Sequence, residues 1–231
     1  MQIAKKRIKN VLVLSIFLTL GFYFIGIYFG LKIFEYFYAN ELFKKIENLY
    51  LEAKNLNEEI NTNKEILLLD FLNRDAKCKL LERINNKVRY YSFEVLAKQL
   101  PYRLEEYDSK YRSSSEYLRL KREYMKLLST SYFLTLKYIE DCNKNISTIL
   151  YVYSASCGDI CIKQGEELDK VKEYNLDYYF FIIDKELNLS EIEIINEMYE
   201  IYSVPTIVIN GKHILRGFSN ISLILSSLNE R

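Results

Sequence analysis

The chain has 231 residues, of which 49% are hydrophobic and 27% charged, a balance typical of a folded protein rather than a disordered one. Its 32 basic and 31 acidic residues leave a net charge of +1, so it lacks the positive field that attracts nucleic acid, and we expect no nucleic-acid partner. Four cysteines are too few for a disulfide scaffold, and they do not form the two close pairs of a metal ribbon.

The first predicted element is an uncharged run at residues 10–31, NVLVLSIFLTLGFYFIGIYFGL. At about 1.5 Å per residue, a helix of this length crosses a hydrocarbon core of about 30 Å. The run continues into KIFEYFYAN and not into a small-residue cleavage site, which favours a membrane anchor over a signal peptide or a buried helix. We therefore predict that residues 1–38 hold a short N-terminal tail and a transmembrane helix.

The charges that flank this run predict its orientation. Lys5, Lys6, Arg7 and Lys9 precede it, whereas the charges that follow it are mixed in sign. The positive-inside rule then leaves the N-terminus in the cytoplasm and places the rest of the chain on the other, more oxidising side. Gly26 and Gly30 form a GxxxG step through which two copies could pack as a homodimer.

Residues 39–145 are predicted to form an all-α stalk or bundle, because Pro101 is the sole glycine or proline between Leu31 and Ser156. Three amphipathic segments support this prediction and would suit an antiparallel hairpin or bundle. They are a heptad stripe typical of a coiled coil (Leu42, Ile46, Leu49, Ala53, Leu56, Ile60), a second stripe (Leu81, Ile84, Val88, Tyr91, Val95) and a segment from Tyr117 to Ile139. Nothing between Leu31 and Ser147 resembles a catalytic motif.

Two single cysteines belong to this helical region. Cys78 lies one turn before Leu81, and Cys142 lies one turn after Ile139, so we expect both to face the interior of the bundle. They are either two buried free thiols or the two halves of a disulfide that joins two helices.

Residues 146–231 change in character and predict an α/β domain. The apolar runs STILYVYS (147–154) and LDYYFFIID (176–184) are typical of interior parallel strands, and TIVINGKHIL (206–215) is typical of a hairpin turning at Asn210-Gly211. Helices are expected from Asp159 to Tyr174 with Ile162, Leu168, Val171 and Tyr174 at helical positions, after a Ser190/Glu193 capping box, and from Asn220 to Leu228. The predicted order is β-α-β-α-β-β-α, with the first two strands parallel.

These residues resemble the thioredoxin-like superfamily. The likeness is carried by the strand that ends at Ser154, by Cys157 at a helix start, by Val204-Pro205-Thr206 before the hairpin and by Gly217 after it. The resemblance implies that the Val204–Pro205 peptide bond is cis and lies beside the reactive cysteine. The backbone of this Val-Pro segment would offer hydrogen bonds to an extended substrate. It implies that Val204 and Pro205 bind substrate.

Cys157 and Cys161 are the predicted catalytic residues. A helix N-terminus favours the thiolate, so we expect Cys157 to attack a partner disulfide and Cys161 to resolve the mixed disulfide. Thioredoxins use Cys-x-x-Cys, whereas here Gly158, Asp159 and Ile160 intervene. Closure of this longer ring requires Cys157 to precede the helix proper, which Gly158 permits. The charge of Asp159 opposes the thiolate and favours a more reducing or slower couple than that of a strong oxidant.

Two other interpretations stay open. The spacing also resembles Sco-type copper chaperones, which are membrane-anchored thioredoxin folds that bind copper through two thiolates and a histidine, a soft ligand set suited to Cu(I). By that resemblance the metal ligands would be Cys157, Cys161 and His213, the sole histidine. Otherwise no cofactor is expected. The third interpretation is a degenerate domain that keeps the fold for binding alone. The function we expect is membrane-anchored thiol–disulfide exchange on protein partners outside the cytoplasm.

Overall fold

The computed structural model describes residues 2–67, 72–90, 115–171, 173–174 and 178–230. The chain divides into two compact units, Met1–Asn48 and Leu49–Arg231. Helix α1 runs from Gln2 to Leu67, so its first part makes up the first unit and its last part belongs to the second.

The first unit exposes many apolar side chains along α1, among them Phe22, Phe24, Ile27 and Phe29. Within the ranges that the structure describes, no helix combines the length and apolarity that a membrane crossing requires. The transmembrane helix over residues 10–31 stays a prediction.

The helical part of the second unit consists of the end of α1, helix α2 (Arg74–Arg89) and helix α3 (Ser115–Asp141). Asn57 on α1 donates hydrogen bonds to the backbone oxygen and to the carboxylate of Glu123 on α3, both at 3.0 Å. Lys87 on α2 pairs with Glu59 on α1. The three helices therefore contact one another as a bundle.

This bundle leaves the predicted coiled coil without support. Four members of the heptad stripe, Leu49, Ala53, Leu56 and Ile60, are buried within the second unit of a single chain. A stripe covered inside its own chain cannot at the same time form a seam with a second copy. Two members of the second stripe, Tyr91 and Val95, lie outside the described residues.

The rest of the second unit is an α/β arrangement in the predicted β-α-β-α-β-β-α order. Its elements are β1 (Ser147–Tyr153), α4 (Asp159–Val171), β2 (Tyr178–Asp184), α5 (Ser190–Met198), β3 (Thr206–Ile209), β4 (His213–Arg216) and α6 (Ile221–Asn229). The strands form a four-stranded sheet in the order β2-β1-β3-β4. β1 and β2 are parallel, whereas β3 is antiparallel to both of its neighbours. This mixed sheet agrees with a thioredoxin-like α/β domain.

Helices cover both faces of the sheet because its strands alternate two apolar sets. Ile149 and Tyr151 of β1 pack in a core with residues of α4 and α6, such as Leu168 and Ile224. The other set packs in a second core with residues of α3 and α5 (Met125, Leu128, Tyr132, Leu150, Val152, Phe181, Ile183, Ile192, Ile195). Helix α3 is thus one layer of the α/β core, although the predicted division at residue 145/146 separates it from the sheet.

Helix α4 buries Leu168 and Val171 as predicted, but the buried face at its start differs from the one expected. The predicted pattern places Ile162 on its apolar face, but the Ile162 side chain is 63% exposed. The buried positions are Cys161, Gln164, Leu168 and Val171, which follow the spacing of one helical face. The pattern is misleading because the buried face includes a glutamine, whose side chain exchanges hydrogen bonds with the backbone of Ser219.

Both ends of α5 differ from the prediction, in which a Ser190/Glu193 capping box opens a helix that continues to Tyr202. The Ser190/Glu193 capping box is absent, because the helix already begins at Ser190 after Leu189, and the Ser190 hydroxyl donates to Glu191 instead. The helix ends at Met198 because Glu200 adopts a left-handed conformation with φ of 49°. The Ile201 amide then bonds the Asn196 oxygen at 2.8 Å, which closes the helix in a Schellman motif.

Candidate active site

The two cysteines of the predicted dithiol form a disulfide just beyond the end of β1. Cys157 ends a short 3₁₀ helix, Ala155–Cys157, and Cys161 lies in the first turn of α4. Gly158 joins the two helices with φ of 64°, a conformation that favours glycine. Because Cys157 precedes α4, the three intervening residues are accommodated with a Cα–Cα distance of 5.7 Å.

The two sulfur-bearing residues differ in accessibility. Cys161 is 8% exposed and lies on the buried face of α4, whereas Cys157 is only partly buried. Buried Tyr151 donates a hydrogen bond of 2.9 Å from its hydroxyl to the Cys161 carbonyl oxygen, and burial raises the pKa of that tyrosine to about 12. Tyr151 therefore stays a neutral donor that helps to fix the start of α4. A partner approaching from solvent meets Cys157 first.

The proline loop lies at the same end of the sheet as the dithiol. The Val204–Pro205 peptide bond is cis. Val152 of β1 pairs with Thr206 of β3, so the residue before Thr206 lies beside the end of β1 that leads to Cys157. The Pro205 carbonyl accepts a hydrogen bond of 2.9 Å from the Gly217 amide. The sheet thus brings the predicted catalytic residues and the predicted substrate-binding residues to the same end of its strands.

Exposed apolar side chains belong to each segment that meets at this end of the sheet. Ile160 follows Cys157 at the start of α4, Phe218 follows Gly217, and Tyr202 precedes Val204. All three are exposed, and Tyr202 most of all, at 80%. Large apolar side chains that are exposed in neighbouring segments are typical of surfaces that contact other proteins.

A polar network that the sequence does not reveal supports the backbone before Cys157. The Ser156 hydroxyl donates to the Glu186 carboxylate, and the hydroxyls of Ser154 and Ser156 are 2.8 Å apart. The Glu186 amide donates to Asp184 Oδ1 at 3.0 Å. Asp184 also forms an ion pair of 2.6 Å with Lys121 of α3, in which the side chains are only 3% and 10% exposed. A carboxylate at the end of the apolar strand β2 is the one local signal for this network.

Hydrogen bonding changes the titration of Glu186. The bond from Ser156 is the largest cause that holds the pKa of the Glu186 carboxyl below its usual value of about 4.5, and Ser154 and the charge of Lys121 act in the same direction. Because the folded-state pKa is the lower one, the contact contributes its full stability above the unfolded pKa. That contribution is lost as pH falls through the folded pKa.

The structure does not bring His213 to the cysteine pair. His213 pairs with Ile209 at the turn end of the hairpin, whereas Thr206 and Arg216 pair at the end nearest the dithiol, about 10 Å away along the strand. The His213 ring contacts the backbone oxygen of Glu230 at 3.0 Å. In the described part of the chain, no group of three or more histidine, cysteine, aspartate or glutamate side chains is placed to hold a metal ion.

The remaining two cysteines are also joined. Cys78 in α2 and Cys142 just after α3 form a disulfide with a Cα–Cα distance of 5.7 Å, and both residues are partly buried rather than enclosed. In the same region, Arg74 Nε donates to the Asp141 oxygen at 2.9 Å. The start of α2 is thus connected to the end of α3 by both a covalent bond and a hydrogen bond.

Comparison with known proteins gives a limited likeness. No protein-family model matches the sequence, and no curated protein is significantly similar to it. Thioredoxin-2 of the malaria parasite, described as a component of its protein secretion machinery, is 24% identical over 38% of this chain and 85% of that chain, with a TM-score of 0.31. A second malarial protein is 23% identical over 37% of this chain and 97% of that chain, also with a TM-score of 0.31. The thioredoxin-like character of the second unit therefore rests on its own sheet, dithiol and proline loop.

Proposed function

We propose that this chain is a membrane-anchored thiol–disulfide oxidoreductase that acts on protein partners outside the cytoplasm through Cys157 and Cys161. The observation that carries the proposal is the asymmetric disulfide beside the cis-proline loop, with a buried Cys161 and an accessible Cys157. A structural disulfide gains nothing from one accessible sulfur at a helix start, whereas exchange chemistry requires it.

A partner dithiol is oxidised in two successive exchange steps. A partner thiolate attacks Cys157 Sγ, the bond between Cys157 and Cys161 breaks, and the Cys161 sulfur leaves as a thiolate that takes a proton from water. The second partner thiolate then attacks the partner sulfur of the mixed disulfide and releases Cys157. The partner has lost two electrons and the chain has gained them. The same steps in reverse reduce a partner disulfide, and the redox potentials of the two couples decide the direction.

A protein substrate is favoured by the surface around the dithiol. Ile160, Tyr202 and Phe218 are exposed apolar side chains in the three segments that meet at this end of the sheet. Because association must offset the lost freedom of both partners, a short-lived mixed disulfide benefits from such contacts. Peptides with apolar residues next to the reacting cysteine should therefore react faster than polar ones.

The dithiol proposal is tested by redox titration of the full chain in glutathione buffers, with peptide-resolved mass spectrometry to separate the two cysteine pairs. We expect reversible opening of the pair Cys157–Cys161 in one two-electron step. Cys161→Ser should accumulate mixed disulfides with proteins, because the resolving thiol is gone, and the matched variant Cys157→Ser should accumulate none.

Two outcomes would overturn this proposal. Absence of opening and closing at every glutathione ratio would leave a binding module without redox chemistry. Stoichiometric Cu(I) binding by the reduced chain that is lost in His213→Ala would favour the copper-chaperone alternative.

The anchor has its own test. Residues 20–31 of α1 expose a continuous apolar surface, which favours a membrane over water as their surroundings. We expect the full chain to resist alkaline carbonate extraction, and the double variant Leu20→Lys/Phe22→Lys to be extracted, because each lysine at the centre of residues 10–31 costs about 2.5–3.5 kcal/mol in a bilayer. The control Ile194→Lys/Met198→Lys, at two exposed positions of α5, should stay in the pellet. Extraction of the unmodified chain would contradict the anchor.

A further inference from the structure

Ser156 is the residue that links the redox pair to the rest of the second unit. It lies directly before Cys157 in the 3₁₀ helix, and its hydroxyl donates to the Glu186 carboxylate just beyond β2. The same hydroxyl lies 2.8 Å from that of Ser154, whose backbone oxygen accepts from the Cys157 amide at 3.1 Å. The hydrogen bond to Glu186 thus holds the 3₁₀ helix Ala155–Cys157, and this segment determines the position of the Cys157 sulfur.

Glu186, the acceptor of this hydrogen bond, is held in place by backbone hydrogen bonds. The Glu186 amide donates to Asp184 Oδ1, and the Lys185 amide donates to the Tyr153 oxygen at 2.8 Å. Asp184 is buried and paired with Lys121 of α3, and its amide lies 3.5 Å from the Met125 sulfur. The backbone of exposed Glu186 is therefore bonded to a member of a buried ion pair, which gives the carboxylate a defined position.

Formation of the disulfide depends on the placement of two sulfur atoms. When glutathione disulfide oxidises the pair, the two cysteine thiols give up two electrons and two protons, and two molecules of reduced glutathione leave. The equilibrium constant of this reaction contains the effective concentration of one sulfur at the other. Cys161 is held by α4, so the freedom of Cys157 sets that concentration.

We propose that Glu186 is a positioning residue for the redox pair, which holds Ser156 so that Cys157 stays within reach of Cys161. The proposal rests on the exchange function argued above. It predicts that the hydrogen bond, and not the negative charge of Glu186, controls disulfide formation. It also means that α3, through Lys121, contributes to the geometry of a site that the α/β elements carry.

The charge and the hydrogen bond can be separated because they make opposite predictions for two variants. Ser156→Ala keeps the carboxylate but removes the hydroxyl that is its main donor, whereas Glu186→Gln removes the charge but keeps an acceptor oxygen. If positioning controls the pair, Ser156→Ala behaves like Glu186→Ala and Glu186→Gln behaves like the unmodified chain. If the charge acts directly on the cysteine thiolate, the two variants exchange places.

The test measures the equilibrium constant for disulfide formation between Cys157 and Cys161 in the full chain against glutathione. We expect Ser156→Ala and Glu186→Ala each to lower it about tenfold, the size of one hydrogen bond to a charged group, and Glu186→Gln to stay within about threefold. The double variant Ser156→Ala/Glu186→Ala should show no loss beyond that of Glu186→Ala, because Glu186→Ala already removes every contact of the carboxylate. The control is Ser190→Ala/Glu191→Ala, a serine–glutamate contact of 3.2 Å on α5, which should leave the constant unchanged.

Failure of the exchange function and failure of the positioning role of Glu186 give different results. If the unmodified chain does not exchange with glutathione, the proposed function fails and not the positioning role alone. If the unmodified chain exchanges but Ser156→Ala matches it, or Glu186→Gln matches Glu186→Ala, the positioning role is overturned and the function stands. The unfolding midpoint of each variant is measured in parallel. A variant whose equilibrium constant is lower because it has lost its fold is recognised by its lower midpoint.

Discussion

Replacing Lys121 with methionine is expected to lower the free energy of unfolding by about 3–5 kcal/mol, because it leaves a buried carboxylate without its partner. The ammonium of Lys121 lies 2.6 Å from Asp184 Oδ2, and the two side chains are 10% and 3% exposed. The buried neighbour Met125 is an apolar side chain that cannot replace the lost charge. Chemical denaturation monitored by circular dichroism measures the difference.

Two further variants show whether burial of the charge is the cause. Lys121→Met/Asp184→Asn should recover a large part of the loss, because asparagine keeps an acceptor for the Glu186 amide without a charge. Lys137→Met breaks an ion pair of 2.8 Å with Asp141 on the surface of the same helix, where the side chains are 53% and 37% exposed. That control should cost no more than about 1 kcal/mol. Equal losses for Lys121→Met and Lys137→Met would contradict the argument.

The order of elements after residue 146 could be predicted because each element carries a local signal. The apolar runs of β1 and β2 identify interior strands, and Asn210-Gly211 identifies the hairpin. In the structure both turn residues have positive φ, 53° and 66°, as such a turn requires. The end of α5 could not be predicted, because its stop is a left-handed glutamate rather than a glycine.

The role of α3 was beyond a local prediction. Its spacing of leucine and tyrosine shows that one face is apolar but not what covers that face. In the structure Leu128 and Tyr132 pack against Phe181 and Leu150 of the sheet, so the helix completes the α/β core. A tertiary contact of this kind has no signature in the helix itself.

Part of the candidate site could be predicted from the sequence, and part of it could not. The dithiol and the proline loop are visible in the sequence because cysteine, glycine and proline have conformations and chemistry of their own. The network of Lys121, Asp184 and Glu186 is built from residue types that are ordinary on any surface. Their significance comes from burial and pairing across distant parts of the chain, which only the fold creates.

Removing the Cys78–Cys142 disulfide is expected to have a comparably large effect on stability. The bridge spans a sequence separation of 64 residues, and closing a loop of that length reduces the entropy of the unfolded chain by the equivalent of about 4 kcal/mol. Cys78→Ala/Cys142→Ala should therefore lower the free energy of unfolding by about this amount, measured by denaturation without reductant.

The second disulfide is the matched control, because it closes a far shorter loop in the same chain. Cys157 and Cys161 are separated by 4 residues, for which the same relation gives about 2 kcal/mol. With reductant, the unmodified chain should lose both contributions, and Cys78→Ala/Cys142→Ala should lose only the smaller one. If Cys78 and Cys142 alkylate freely in the oxidised chain, or if Cys78→Ala/Cys142→Ala and Cys157→Ala/Cys161→Ala lose equally, the long bridge does not stabilise the fold. A larger loss for the longer loop would assign the structural role to the Cys78–Cys142 disulfide, which joins α2 to the end of α3. The Cys157–Cys161 disulfide could then open for exchange at a smaller cost in stability.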